Sequence, residues 1–198
     1  MWIKSFLIKG VLVSGIGVAG VFSFHALNGE STALEEEKHG IALEVPGKEN
    51  LKDLAAETET ILTATVPSDY EVVEAEIEDE NSLFMVEHIY QITVEKNTKS
   101  PSGTKYKKGD VLELAVPAGV RQRLNGEAGE LVPLTEDIPV FETGEYLLFL
   151  EEVEYKALNK NVMMLSNFNH VYKKQGNKYE NIGSELIPVI EEDQSFVN

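Results

Sequence analysis

The chain has 198 residues, 34 of them acidic against 17 basic, and a formal net charge of −17 at pH 7. An acid excess of this size keeps a protein soluble and excludes wholesale nucleic-acid binding, which needs a basic face. The absence of cysteine excludes disulfides, thiolate metal sites and lipoprotein anchoring.

The first predicted element is the stretch 10–27, GVLVSGIGVAGVFSFHAL, eighteen residues without a charge. As a helix it rises roughly 27 Å, close to the roughly 30 Å hydrocarbon core of a bilayer. Phe6, Leu7 and Ile8 lengthen the span, so residues 6–27 are expected to lie in the membrane with Lys9 reaching back to the headgroups. Lys4 and Lys9 precede the segment; after it come Glu30, Glu35, Glu36 and Glu37 before the next basic residue, Lys38. The positive-inside rule then puts the N-terminus in the cytoplasm and the remainder outside, as a single-pass membrane protein. A cleaved signal peptide has the same layout, so a secreted product is the alternative. The retained anchor is preferred because a cut after Ala26 leaves Phe24 where a small residue is wanted.

Beyond the segment, 34 acids face 15 bases once Lys4 and Lys9 are set aside. A cysteine-free outer domain rich in Lys and Glu behind a simple anchor points to a bacterial envelope of Gram-positive type. The organisation read from the sequence is an anchor or signal at 1–27, an acidic linker at 28–49, one β domain at 50–184 and an acidic tail at 185–198. The linker is polar, holds the run Glu35, Glu36, Glu37 and ends in the turn signal Pro46-Gly47.

Asn50 is placed to cap a short helix with Leu51, Leu54 and Ala55 on one face and Asp53 in its first turn. Residues 60–66 (TILTATV) form a β-branched strand, and 70–77 a weaker extension. Residues 83–95 (LFMVEHIYQITVE) form the longest strand, followed by a loop at 96–109 rich in Ser, Thr, Pro and Gly. Residues 110–116 form the next strand, which should stop at Pro117 and pair with its predecessor as a long-looped hairpin. Asn125-Gly126 signals a tight turn, with 122–124 facing 130–134. Residues 146–154 (YLLFLEEVE) are the most apolar and the expected central strand. Shorter strands follow at 162–165, 169–174 and 178–182, and a small apolar piece lies at 187–190. Five principal strands with an insertion between the third and fourth predict an all-β fold: a five-stranded OB-like Greek-key barrel with a short flanking helix, preceded by one N-terminal transmembrane helix.

The pieces at 51–56, 60–66, 90–96 with Lys107-Lys108-Gly109-Asp110, 111–117 and above all 141–150 (FETGEYLLFL) form a pattern, with Gly144 and Tyr146 at its end. Over about residues 51–182 this pattern resembles a bacterial surface domain similar to the OB-fold of the tissue inhibitors of metalloproteinases and the netrin module. The resemblance implies an OB-type barrel. The animal inhibitors chelate a protease zinc through an N-terminal cysteine; this chain has no cysteine, so that activity does not carry over.

Four histidines (His25, His39, His88, His170) show no metal-ligand spacing, no serine sits in a nucleophile elbow, and adjacent acids are what 34 acids produce by themselves. No catalytic residue, metal or cofactor is assigned, and the protein is not read as an enzyme. One surface feature departs from the acidic background. Between 96 and 108 stand Lys96, Lys99, Lys105, Lys107 and Lys108, with Tyr106 among them and no acid; Arg121 and Arg123 are expected on the same side. This is the candidate binding surface for an anionic wall polymer, lipid headgroups or an acidic envelope protein.

Overall fold

The computed structural model describes residues 47–77, 82–134, 138–155 and 159–194. The predicted anchor and most of the predicted linker lie outside them. Among the described residues no helix is long and apolar enough to cross a membrane. What they form is an all-β fold with one short helix.

Helix α1 (Leu51–Glu57) starts where Asn50 accepts the Asp53 N–H at 2.9 Å. Leu51, Leu54 and Ala55 are buried along one side. Thr58 stops it: its N–H and hydroxyl both donate to Leu54 O, while its extended backbone turns the chain into a strand. Ten strands follow: β1 (Thr60–Val66), β2 (Glu71–Glu76), β3 (Leu83–Lys99), β4 (Val111–Leu124), β5 (Glu127–Pro133), β6 (Gly144–Tyr155), β7 (Lys160–Leu165), β8 (Val171–Gln175), β9 (Lys178–Asn181) and β10 (Val189–Glu191).

The ladders run from β1 through β3, β4, β7 and β6 and return to β1. All are antiparallel except β4–β7. Both edges of β1 are therefore paired. Inside this ring Leu62, Tyr90, Ile92, Leu114 and Leu148 are all 0–1 % exposed. Ile61, Leu147 and Phe149 alternate outward into a second cluster under α1, Tyr172, Tyr179 and Ile190. Burial on both faces explains why the first half of β6 reads as a near-continuous apolar run and why β1, TILTATV, carries no charge. It also makes β6 the central strand, paired with β1, β7 and β8.

Three expectations about strand limits are corrected. Pro117 does not end a strand: β4 continues seven residues beyond it to Leu124. Proline removes a ladder donor, but here it lies opposite Glu87 at a register shift, where Ala118 is an extra residue. Strand β3 runs on to Lys99, because its polar end pairs Ile61 to Thr65 of β1. The third concerns the segment read as an acidic tail. Its Val189–Glu191 folds back as β10 against β9, and Ile190 is 1 % exposed in the second cluster.

The insertion is a hairpin. Asn125 (φ 54°) and Gly126 (φ 85°) make the two-residue turn, with Leu124 opposite Glu127 and Arg123 opposite Ala128, a tighter register than the sequence suggests. Strand β2 pairs with the outer half of β3, so β2–β3–β4–β5 projects from the ring as a four-stranded wing.

Candidate functional site

The lysine-rich segment becomes the end of β3 and the loop 100–110 that joins it to β4. The loop is shaped by its own polar groups. The Ser100 hydroxyl donates to Thr104 O at 2.8 Å, and Asp110 accepts the Lys107 N–H at 2.8 Å across a turn closed by Gly109 at φ 90°.

The eight predicted residues do not form one surface. Lys96, Lys105 and Lys107 are exposed and make no ion pair with a described residue. Lys108 binds Glu95 at 2.8 Å, and that bond, more than the Thr65 hydroxyl, holds the Glu95 carboxyl below its ordinary range. Lys99 faces inward, its ammonium donating to Ala55 O at 2.7 Å, Ala56 O at 3.2 Å and Thr58 O at 2.6 Å. The carbonyls at a helix C-terminus lack intrahelical partners and carry partial negative charge, so Lys99 is the C-terminal cap of α1. Tyr106 lies half-buried against the main core, its hydroxyl 4.0 Å from Met163 Sδ.

Arg121 and Arg123 are elsewhere. They project from the wing and grip one carboxylate, Glu74 of β2, Arg123 through Nε at 3.0 Å and Nη2 at 2.6 Å. Burial pushes Glu74 up, but the hydrogen bonds and charges of Arg123 and Arg121 outweigh it and hold the carboxyl below its usual range. Arg123 also stacks 5.3 Å from the Phe84 ring centroid. Placing these arginines in a connecting loop put them on the lysines' side, but both stand on β4. The register of β2 with β3 places Phe84 opposite Glu76 and Val86 opposite Glu74, and it directs both arginines to β2 instead.

The histidines stand apart. His88 is stacked on exposed Tyr70 with ring centroids 3.9 Å apart, and burial lowers its pKa. His170 is fully buried: its Nε2 accepts the Lys48 N–H at 2.8 Å, and its Nδ1 lies 3.2 Å from the Tyr172 hydroxyl. Burial, then the Lys48 charge, lowers its pKa. Among the described residues no three His, Asp or Glu side chains gather as a metal site.

A recess of about 80 Å³ opens beside Tyr106, lined also by Glu113, Glu152, Asn161 and Met163. It is well below the roughly 300–1,000 Å³ of small-molecule sites. Its two acids are engaged, Glu113 with Lys160 at 2.5 Å and Glu152 with the Asn161 amide at 3.0 Å.

Two features escaped the sequence reading. One is Glu87, 4 % exposed on the outer side of β3, where burial raises its pKa and the Tyr155 hydroxyl opposes the rise only in part. The Tyr155 hydroxyl is directed at this carboxyl, but among the described residues neither it nor Glu87 Oε2 reaches good hydrogen-bond geometry. An acid inside the apolar alternation of 83–95 was the available signal. The other is the outer edge of β2, visible in sequence only as a weak strand studded with acids.

No protein-family model, no curated protein and no solved structure matches the chain.

Proposed function

We propose that the chain is a non-catalytic interaction module held outside a bacterial, Gram-positive-type membrane by residues 6–27, and that its ring of five ladders is an OB-type Greek-key barrel. The return of the ladders to β1 supports the barrel, since a sheet that pairs its first strand on both sides has no free edge there. The interaction reading rests on one observation. Lys96, Lys105 and Lys107 remain without a carboxylate partner among the described residues, at the end of β3 and on the loop that follows, which Lys99 ties to α1. Since α1 is the first element after the linker, this reading has the three charges turned toward the tether. An anionic surface, whether wall polymer or headgroup, is what they would meet.

The orientation is tested by adding protease to intact, wall-stripped cells. Residues 50–198 should be digested, and full protection would overturn the assignment. The surface is tested by cosedimentation of residues 28–198, which lack the segment read as the anchor, with anionic phospholipid vesicles in low salt. At about 1 kcal/mol per lysine near such a surface, Lys96→Gln, Lys105→Gln and Lys107→Gln together should weaken binding by roughly two orders of magnitude. Unchanged, salt-insensitive binding would sink the reading.

A further inference from the structure

Among the described residues three strands have a ladder on one side only: β2, β5 and β10. Such an edge presents backbone N–H and C=O groups on which another strand can form. Two of the three are blunted. Strand β10 has three residues. Strand β5 holds Gly129 and Pro133, and its ladder shifts register between Arg121 and Arg123 of β4. Strand β2 has neither device. Its six residues carry no Gly or Pro and pair β3 in unbroken register, from Glu71 opposite Ile89 to Glu76 opposite Phe84. At about 3.3 Å per residue the edge is roughly 20 Å long. It is also held firmly, because Arg121 and Arg123 grip Glu74 in its middle.

Its side chains select the occupant. Glu71 and Glu76 are exposed at the two ends of the strand and make no ion pair with a described residue. By alternation they lie on opposite faces of the sheet. Between and before them Val72 is 53 % and Tyr70 45 % exposed. A second copy of this chain is a poor fit. Antiparallel pairing of two β2 edges would bring the unpaired Glu71 and Glu76 of both copies together along one seam, and like charges gathered there destabilise the pairing. Acids at both ends with apolar groups between them fit a strand that is basic at its ends and apolar between.

We propose that the free edge of β2 is a docking site for an extended, basic segment of a partner protein, which adds to the wing as a fifth strand. The site is separate from the lysine loop and depends on neither the membrane anchor nor an anionic ligand.

The test uses the full-length protein in a mild non-ionic detergent and three eight-residue peptides, followed by calorimetry and amide resonances. One peptide has two Lys at each end and Val between them, the second has a central Val replaced by Pro at the same charge, and the third has Glu in place of each Lys. The Lys–Val peptide should bind and shift the amides of β2. The Pro peptide should bind at least tenfold more weakly, and the Glu peptide should not bind. The double variant Glu71→Lys, Glu76→Lys should reverse the preference between the Lys and Glu peptides. Absence of binding, equal binding of the Pro peptide, shifts confined to β5 or an unreversed preference would each overturn the proposal.

Discussion

Strands β3 and β4 each serve two structures. Their inner halves wall the closed ring, where Tyr90, Ile92 and Val94 lie beside Leu114 and Val116 in the buried core. Their outer halves, flanked by β2 and β5, form the wing. The division falls at the register shift between Val86 and Glu87, beside Pro117. Across it the two faces change character. The face that looks into the core in the ring carries the Glu74, Arg121 and Arg123 clamp in the wing. The opposite face is polar at Gln91 and Glu113, and becomes apolar in the row Ala75, Met85, Val120 and Val132. A continuous pair of strands can thus be organised by apolar burial at one end and by charge at the other. One extra residue marks the change.

The contrast gives the two regions different failure modes. Leu148 is fully buried in the ring, and Leu148→Ala should cost about 2–5 kcal/mol in denaturant unfolding. A loss below about 1 kcal/mol would show that the ring is not the stabilising unit. In the wing, Glu74→Gln removes the shared partner of two arginines and should cost about 1–3 kcal/mol. Its signature is local: amide exchange should quicken in β2, β5 and the first half of β3 and stay slow in β1 and β6. Equal acceleration in the ring would join the two regions into one cooperative unit.

This division was only partly legible in the sequence. The elements were: capped helix, β-branched first strand, tight Asn125-Gly126 turn and apolar central strand all announce themselves through local chemistry. The limits of β3 and β4 were not, because Lys99 and Pro117 are tolerated by pairing partners distant in the chain, Ile61 and Glu87. The candidate surface suffered most. A run of lysines reads as one patch, yet Lys99 turns to helix carbonyls and Lys108 to Glu95, contacts set by tertiary placement. The arginines obey cross-strand register, which depends on a bulge that composition does not reveal.

Titration sharpens the comparison further. Glu87 sits at the junction with its folded-state pKa raised, so the stability that depends on its neutral form is present at low pH and is lost as pH rises above the ordinary 4.5. Glu87→Gln should therefore raise Tm at pH 8, and the gain should vanish by pH 4; a constant difference would deny that the carboxyl titrates there. His170, beside the second cluster, has the opposite sign. Its folded pKa is lowered from 6.5, so its contribution is present above that value and fades as pH falls below it. His170→Gln should flatten that part of the Tm profile, and an unchanged profile would deny the linkage.

The smallest effect concerns the lysines themselves. Lys99→Gln should cost about 1 kcal/mol through the exposed helix end, whereas Lys96→Gln should stay within about 0.5 kcal/mol. Equal values from thermal unfolding would erase the distinction between capping and free lysines.

The pairing of β1 on both edges has a mechanical consequence. A pulling load applied through the residues before Gly47 first meets the Lys48 N–H on His170 and the Lys48 ion pair with Glu57, then the roughly two turns of α1. These contacts yield one after another and let out roughly 40 Å of chain at about 3.4 Å per residue. The load then reaches β1, which is flanked by five paired positions on β3 and seven on β6. Drawn along its length, that strand strains both ladders together in shear instead of unzipping them bond by bond. The domain therefore carries a compliant lead in series with a stiff clamp, so that a sudden tug is absorbed before the core bears it.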